Sequence, residues 1–360
     1  MSTQILDPST LPSLAEQRPQ RPWRKRTPRF TASVVLAVLV PAIVVGFLWQ
    51  TSSIPTPVLM VAIYLPMQLV ASTLASLATR GRRGIADSIV IVSAIGATVF
   101  SLVILLSLLG SLIVRGWKAL SPSFLLQNNV YISPSTPLEY GGIGHAVLGT
   151  ALIVFLASLV AVPIGIATAI YITEVRGRAV PYVRFFVQSM SGVPSVVAGL
   201  FILTTLIVTG ALTQSALAGG LAYAILMLPT VARTAEEVLR LVPDELRTGA
   251  LALGSTRART VFRVVLPAAR TGIVTAIILG IARIIGETAP LLLAAGNSDQ
   301  TILNPTGSPV AALPTYIFNN VALPYPDAVT RAWGAALALM IFVAILFTLA
   351  RVLSRGRLGR

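Results

Sequence analysis

A helical protein that crosses a membrane several times is the fold class this sequence predicts, and three observations predict it. Apolar residues make up 55% of the 360, with a mean hydropathy of +0.84, whereas soluble domains hold about half apolar residues and about a quarter charged ones. The apolar residues are gathered into about eight runs, most of them near the 17–25 residues that span a bilayer as helix. The net charge is +15, and all but four of the 27 Lys and Arg fall at the ends of these runs that one alternating topology places in the cytoplasm. The same distribution argues against a nucleic-acid partner, because the basic residues follow loops instead of covering one soluble face. With no Cys and a single His, His145, neither a disulfide, a thiolate nor a His cluster for a metal is expected.

Taken in order, residues 1–30 are rich in Pro, Gln, Ser and Arg and read as a disordered basic cytoplasmic tail. The run at 31–49 is too long, and too far from the start, for the apolar part of a cleaved signal, and is read as the first span with Pro41 as a tolerated kink. The second span, 58–77, ends at Arg80, Arg82 and Arg83, and the third, 87–114, is long enough to cross a core of about 30 Å even when tilted. Residues 116–142 form an outer segment in which Trp117, Tyr131 and Tyr140 are suited to the interface. A fourth span, 143–172, leads back to Glu174, Arg176, Arg178 and Arg184. The fifth, 187–209, is interrupted by Ser191-Gly192-Val193-Pro194-Ser195, and the sixth is placed at 215–230. After a long cytoplasmic loop come a seventh span at 271–295, an outer loop rich in Pro and Asn, and an eighth span at 332–350 closed by Arg351, Arg355, Arg357 and Arg360. Both termini are thereby expected in the cytoplasm of a multi-pass cell-membrane protein.

The loop from Pro243 to Pro267 is polar, basic and patterned. Asp244 is suited to cap a short helix, Gly254 to end it in the left-handed conformation, and Ser255 or Thr256 to cap a second helix. That second helix, carrying Arg257, Arg259 and Arg263, is expected to stop at Pro267, where the seventh span begins.

Arg283 is the one basic residue inside a span, and Glu287 follows at a spacing that would place both on one helix face. A charge at the helix centre costs about 2.5–3.5 kcal/mol on insertion scales, so the two are expected to neutralise each other, to face a cavity, or both. Two readings stand side by side: an internal salt bridge that holds helices together, or an anion path in which the planar Arg283 fork grips two oxygens of an oxyanion. Gly286 would allow close backbone approach, Thr288 offers a hydroxyl, and Pro290 frees a carbonyl. Between Ser191 and Ser195 the broken span would present helix-start donors suited to an anion, or else form an ordinary Pro kink. No Gly-x-x-x-x-Gly-Lys-Ser/Thr stretch exists and the only lysines are Lys25 and Lys118, so ATP is not expected to bind here.

Ala250, Gly254, Val264, Leu266 and Pro267, at their spacing, resemble the cytoplasmic loop of ABC-importer permeases, with Thr248 and Gly249 where that pattern carries Glu and Ala. The stretches Arg-Ile-Ile-Gly-Glu-Thr-Ala-Pro-Leu-Leu from Arg283 and Ser-Gly-Val-Pro-Ser-Val-Val-Ala-Gly-Leu from Ser191 resemble PstA-type permeases of phosphate importers. The resemblance implies a type I importer core of six helices over 85–360 with its coupling loop at 235–270, two additional helices over 31–84, and no catalysis in this chain. It implies phosphate as substrate, along a path including Arg283, Glu287, Thr288, Ser191 and Ser195. It also implies contact with an ATPase through Asp244, Glu245, Thr248, Gly249, Ala250, Gly254, Leu266 and Pro267. Implied partners are a second, PstC-like permease, two PstB-like ATPase subunits that bind ATP and Mg, an extracytoplasmic PstS-like phosphate-binding protein, and membrane lipid. By physics alone sulfate or molybdate would fit as well as phosphate, and an ATP-independent channel or carrier, or a non-transporting membrane scaffold, stands as an alternative.

Overall fold

A computed structural model describes residues 28–52 and 59–355. Most of the tail assigned to 1–30 lies outside them. Among the described residues the chain is helical, with no strand. It divides into two compact units, residues 1–107 and 108–360, and the division falls inside one long helix. In the first unit, α1 (Pro28–Thr51) contains Pro41, and a π-helical turn (Leu59–Tyr64) leads into α2 (Leu65–Arg80). The long helix α3 (Arg82–Gly116) follows.

The second unit continues through α4 (Pro122–Leu126), α5 (Gly144–Ile170) with a π-helical turn at its end (Tyr171–Val175), and α6 (Val180–Ser191). Next come α7 (Ser195–Ile202) and α8 (Ala216–Arg240). Then follow α9 (Asp244–Ala252), α10 (Arg257–Thr260), α11 (Leu266–Ile284), α12 (Ala289–Ala294), α13 (Leu313–Val321) and α14 (Pro326–Arg355). Five stretches are long and apolar enough to cross a membrane: Ile85–Gly116, Gly144–Val175, Ala216–Arg240, Arg257–Ile284 and Pro326–Thr348. A sixth exists if α6 and the helix after it are taken as one span bent by 102°. The apolar parts of α1 and α2, Val35–Thr51 and Ala62–Ala78, are shorter.

α8 is the helix around which the second unit packs, with 67% of its apolar window buried against 22–33% for α5, α11 and α14. Its closest partner is α5, which presents Ala157, Ala161, Gly165 and Ala169 at four-residue spacing, all buried. Small residues at that spacing let two backbones approach, so dispersion contacts replace the hydrophobic drive that lipid removes. At Gly165 an added Cβ would lie 3.0 Å from Val231 of α8, and at Gly280 of α11 it would lie 2.6 Å from the same residue. Ile153, Tyr223, Met227, Ile284 and Leu291 complete this core.

Three sequence expectations are corrected here. The sixth span does not end at 230, because Val231, Ala232, Ala235 and Leu239 continue a buried face while Arg233, Glu237 and Arg240 stay outside. The helix after Gly254 does not stop at Pro267: a π-helical turn (Val261–Val265), closed by the Leu266 amide on the Val261 carbonyl, lets it run unbroken into the membrane with Pro267 in the first turn of α11. The seventh span does not reach 295 as one helix, since α11 stops at Ile284. Arg331 of α14 is 2% exposed, and its Nη2 donates to the carbonyls of Thr136, Pro137 and Tyr140 at 2.8–2.9 Å. An ionised donor shared among three carbonyl oxygens is a strong local fastening.

Candidate functional site: a broken span and a gripped loop

Pro290 has no N–H to donate and clashes with a helical carbonyl four residues back, so the chain leaves helix between Ile284 and Ala289. Over this break the Glu287 amide donates to the Ile284 carbonyl, and the Leu291 and Leu292 amides to that of Thr288. Tyr223 of α8 donates its hydroxyl to the Glu287 carbonyl and ties the break to the central helix. The unwound turn separates Arg283 from Glu287. No ion pair joins them among the described residues, Arg283 is exposed and Glu287 half-buried, so the expected mutual neutralisation is absent. Gly286 is not a point of close approach, because nothing lies within 4 Å of an added Cβ.

The second irregular segment is the bend between α6 and α7. The Gly192 amide caps the Ser189 carbonyl, Ser191 Oγ donates to the Val187 carbonyl at 3.1 Å, and Pro194 restarts the helix with Ser195 as its first residue. α7 then lies on α12: a Cβ on Gly199 would sit 2.6 Å from Pro290 Cα. The structure thus brings the helix that begins at Ser195 against the one that follows Thr288.

In the loop, the turn at Gly254 has φ +79°, and the Ser255 amide bonds the Ala250 carbonyl while the Gly254 amide bonds that of Leu251. This pair of bonds is the Schellman helix end. Thr256 accepts from the Arg259 amide at 3.3 Å and caps the next helix. Asp244 does not cap: Pro243 holds the cap position, and the Asp244 carboxylate instead pairs with Arg247 Nη1 at 3.0 Å. Glu245 and Thr248 face outward on α9, Thr248 Oγ1 bonds back to the Asp244 carbonyl, and Gly249 has open space around it. Leu246, Leu251 and Leu253 stand 43–89% exposed beside them, while Ala250 and Leu266 are half-buried and Pro267 is exposed.

Sequence reasoning missed what holds this loop. Arg247 donates to both oxygens of Glu174 at 2.8–3.2 Å, to the carbonyls of Leu239 and Val242, and to Asp244. The hydrogen bond to Glu174 is the largest influence raising the Arg247 pKa above its ordinary value. Glu174 stands in the last turn of a spanning helix, where the macrodipole disfavours a carboxylate without a cation. That mismatch was the available signal. Nearby, Glu236 accepts from Arg184 of α6 at 3.0 Å and from Arg240 at 2.7 Å, and a cleft of about 450 Å³ lined by Arg176, Arg184, Arg240 and Arg247 opens beside the junction.

Residues 161–358 match the family described as binding-protein-dependent transport system inner membrane component. The chain is 41% identical over 265 residues to the phosphate transport system permease protein PstA 1 of Mycobacterium tuberculosis (strain CDC 1551 / Oshkosh), covering 73% of this chain and 86% of that protein. It is 36% identical to the phosphate transport system permease protein PstA of Pasteurella multocida (strain Pm70), over 71% of this chain and 90% of that one. Among solved structures it is similar to an inward-facing form of the MetNI methionine ABC transporter, at 18% identity and a TM-score of 0.49, covering 60% of this chain and 94% of that one.

Proposed function

The chain belongs to the family of binding-protein-dependent transport system inner membrane components, and from that premise we propose that it is a permease subunit of an ATP-driven phosphate importer. It forms half of a translocation path and performs no covalent chemistry. A PstC-like permease supplies the other half, two PstB-like ATPase subunits bind ATP and Mg, and a PstS-like protein delivers phosphate from outside. Both termini lie in the cytoplasm, so α9 and the Gly254 turn face the ATPase with Leu246, Leu251 and Leu253 exposed for contact. Closure of the ATPase pair displaces α9, and the spans beside it tilt to expose the path to one side and then the other.

The observation that carries the path reading is Arg283: a guanidinium on the exposed face of a spanning helix with, among the described residues, no carboxylate paired to it. A charge left unmet inside a membrane calls for a counter-ion from outside the chain, and a planar fork of donors fits a tetrahedral oxyanion. The likeness to proteins named phosphate permeases supports phosphate as that anion. Uptake of radiolabelled phosphate by cells carrying Arg283→Lys tests the reading. Normal recovery of the complex with poor uptake is expected, whereas uptake equal to wild type removes Arg283 from the path.

A further inference from the structure

α9 buries none of its nine residues fully, and Arg247 and Ala250 are its only half-buried ones. A helix without a buried apolar face gains little from packing, so its attachment must come from elsewhere. The turns at its two ends tie it only to its own neighbours in sequence. Arg247 ties it to the membrane helices: Nε reaches both Glu174 oxygens at 3.2 Å, Nη2 reaches Glu174 Oε1 and the Leu239 carbonyl at 2.8 Å each, and Nη1 reaches the Val242 carbonyl and Asp244. All five N–H donors of the guanidinium are engaged. Three elements meet on this one side chain, namely α9, the π-helical end of α5, and the last turn of α8 with the segment after it.

We propose that Arg247 is a positioning residue that transmits displacement of α9 to α5 and α8. The proposal rests on the importer reading. The two helices it grips are the pair packed through Ala157, Ala161 and Gly165, and α8 in turn holds the unwound turn at Glu287 through Tyr223. A force applied to the loop therefore reaches the break beside Arg283 through a continuous series of short bonds and close contacts. A lysine at 247 would keep the charge but offer three donors from one point, too few to hold a carboxylate and two carbonyls in different directions.

The test uses the complete complex in lipid vesicles, with its binding protein, labelled inorganic phosphate and ATP, and reads phosphate moved per ATP hydrolysed. Arg247→Gln and Arg247→Lys are expected to give complexes of normal composition whose hydrolysis stays within about twofold of wild type while phosphate per ATP falls about tenfold. If uptake and hydrolysis fall together with the amount of assembled complex, leaving their ratio at the wild-type value, Arg247 merely stabilises and the proposal is overturned. Should Arg247→Gln fail to assemble, Glu174→Gln, which keeps shape and a neutral acceptor, reads the same ratio, and a wild-type value there overturns it too. A wild-type complex that hydrolyses ATP but moves no phosphate overturns the importer reading and this proposal with it. Unchanged variants beside an active wild type overturn this proposal alone.

Discussion

Two regions of the second unit treat an arginine in opposite ways. At the junction of α5, α8 and α9, Arg247 has a partner for every donor and stands beside a carboxylate whose side chain is only 9% exposed. At the end of α11, Arg283 is exposed and has no ion pair among the described residues. The junction is a place where the chain meets a charge with its own groups. The break above it is organised without Arg283, by backbone bonds, by the Tyr223 hydroxyl and by Pro290. At the junction a charge is met within the chain, whereas at the break, among the described residues, the charge of Arg283 is not.

The largest effect expected from this contrast is on transport. Arg283→Gln should lower phosphate uptake about 10- to 100-fold, the loss of charge-assisted bonds worth roughly 1.5–3 kcal/mol, while the complex is recovered in normal amount. Because the two residues are apart, adding Glu287→Gln should not restore it. Near-normal uptake by the double variant would mean that the pair closes at another stage of the cycle and serves as a staple. A smaller effect, on stability, is expected where the two breaks touch: Gly199→Val should cost about 1–3 kcal/mol by overpacking and lower the melting temperature of the purified complex. Gly286→Ala, in open space, should leave it unchanged. At the loop, Gly254→Val forces a branched side chain to φ +79° at about 1–2 kcal/mol, and should reduce stimulation of the ATPase with normal membrane levels. Least of all, Thr256→Ala removes one cap worth about 1 kcal/mol and should speed amide exchange at Arg259.

Local chemistry was legible at some single residues but not at Asp244, which Pro243 displaces from the cap, nor at Pro267, which opens α11 instead of ending a helix. Gly254, Thr256 and Pro194 act as their sequence signals require. The errors came where tertiary context outweighs a local rule. Charged residues at 233–240 looked like loop, yet the opposite face carries a buried apolar stripe that keeps α8 helical. Four-residue spacing put Arg283 beside Glu287 only on the premise of unbroken helix, which Pro290 removes from downstream. The bond from Arg247 to Glu174 joins residues far apart in the chain, and no periodicity reports it.

The contact between Gly199 and Pro290 sets a constraint on biosynthesis. α7, which a π-helical turn carries on to Ile207, and α12, with six residues, are about 20 Å and 9 Å long, so neither crosses a bilayer by itself. Each depends on the other to cover its backbone, and α7 leaves the ribosome long before α12 exists. The bend at 191–195 must therefore wait, incompletely packed, while α8 and α11 are made. In ribosome-bound chains of increasing length, protease sensitivity at that bend should persist until Ala294 has emerged, and then fall.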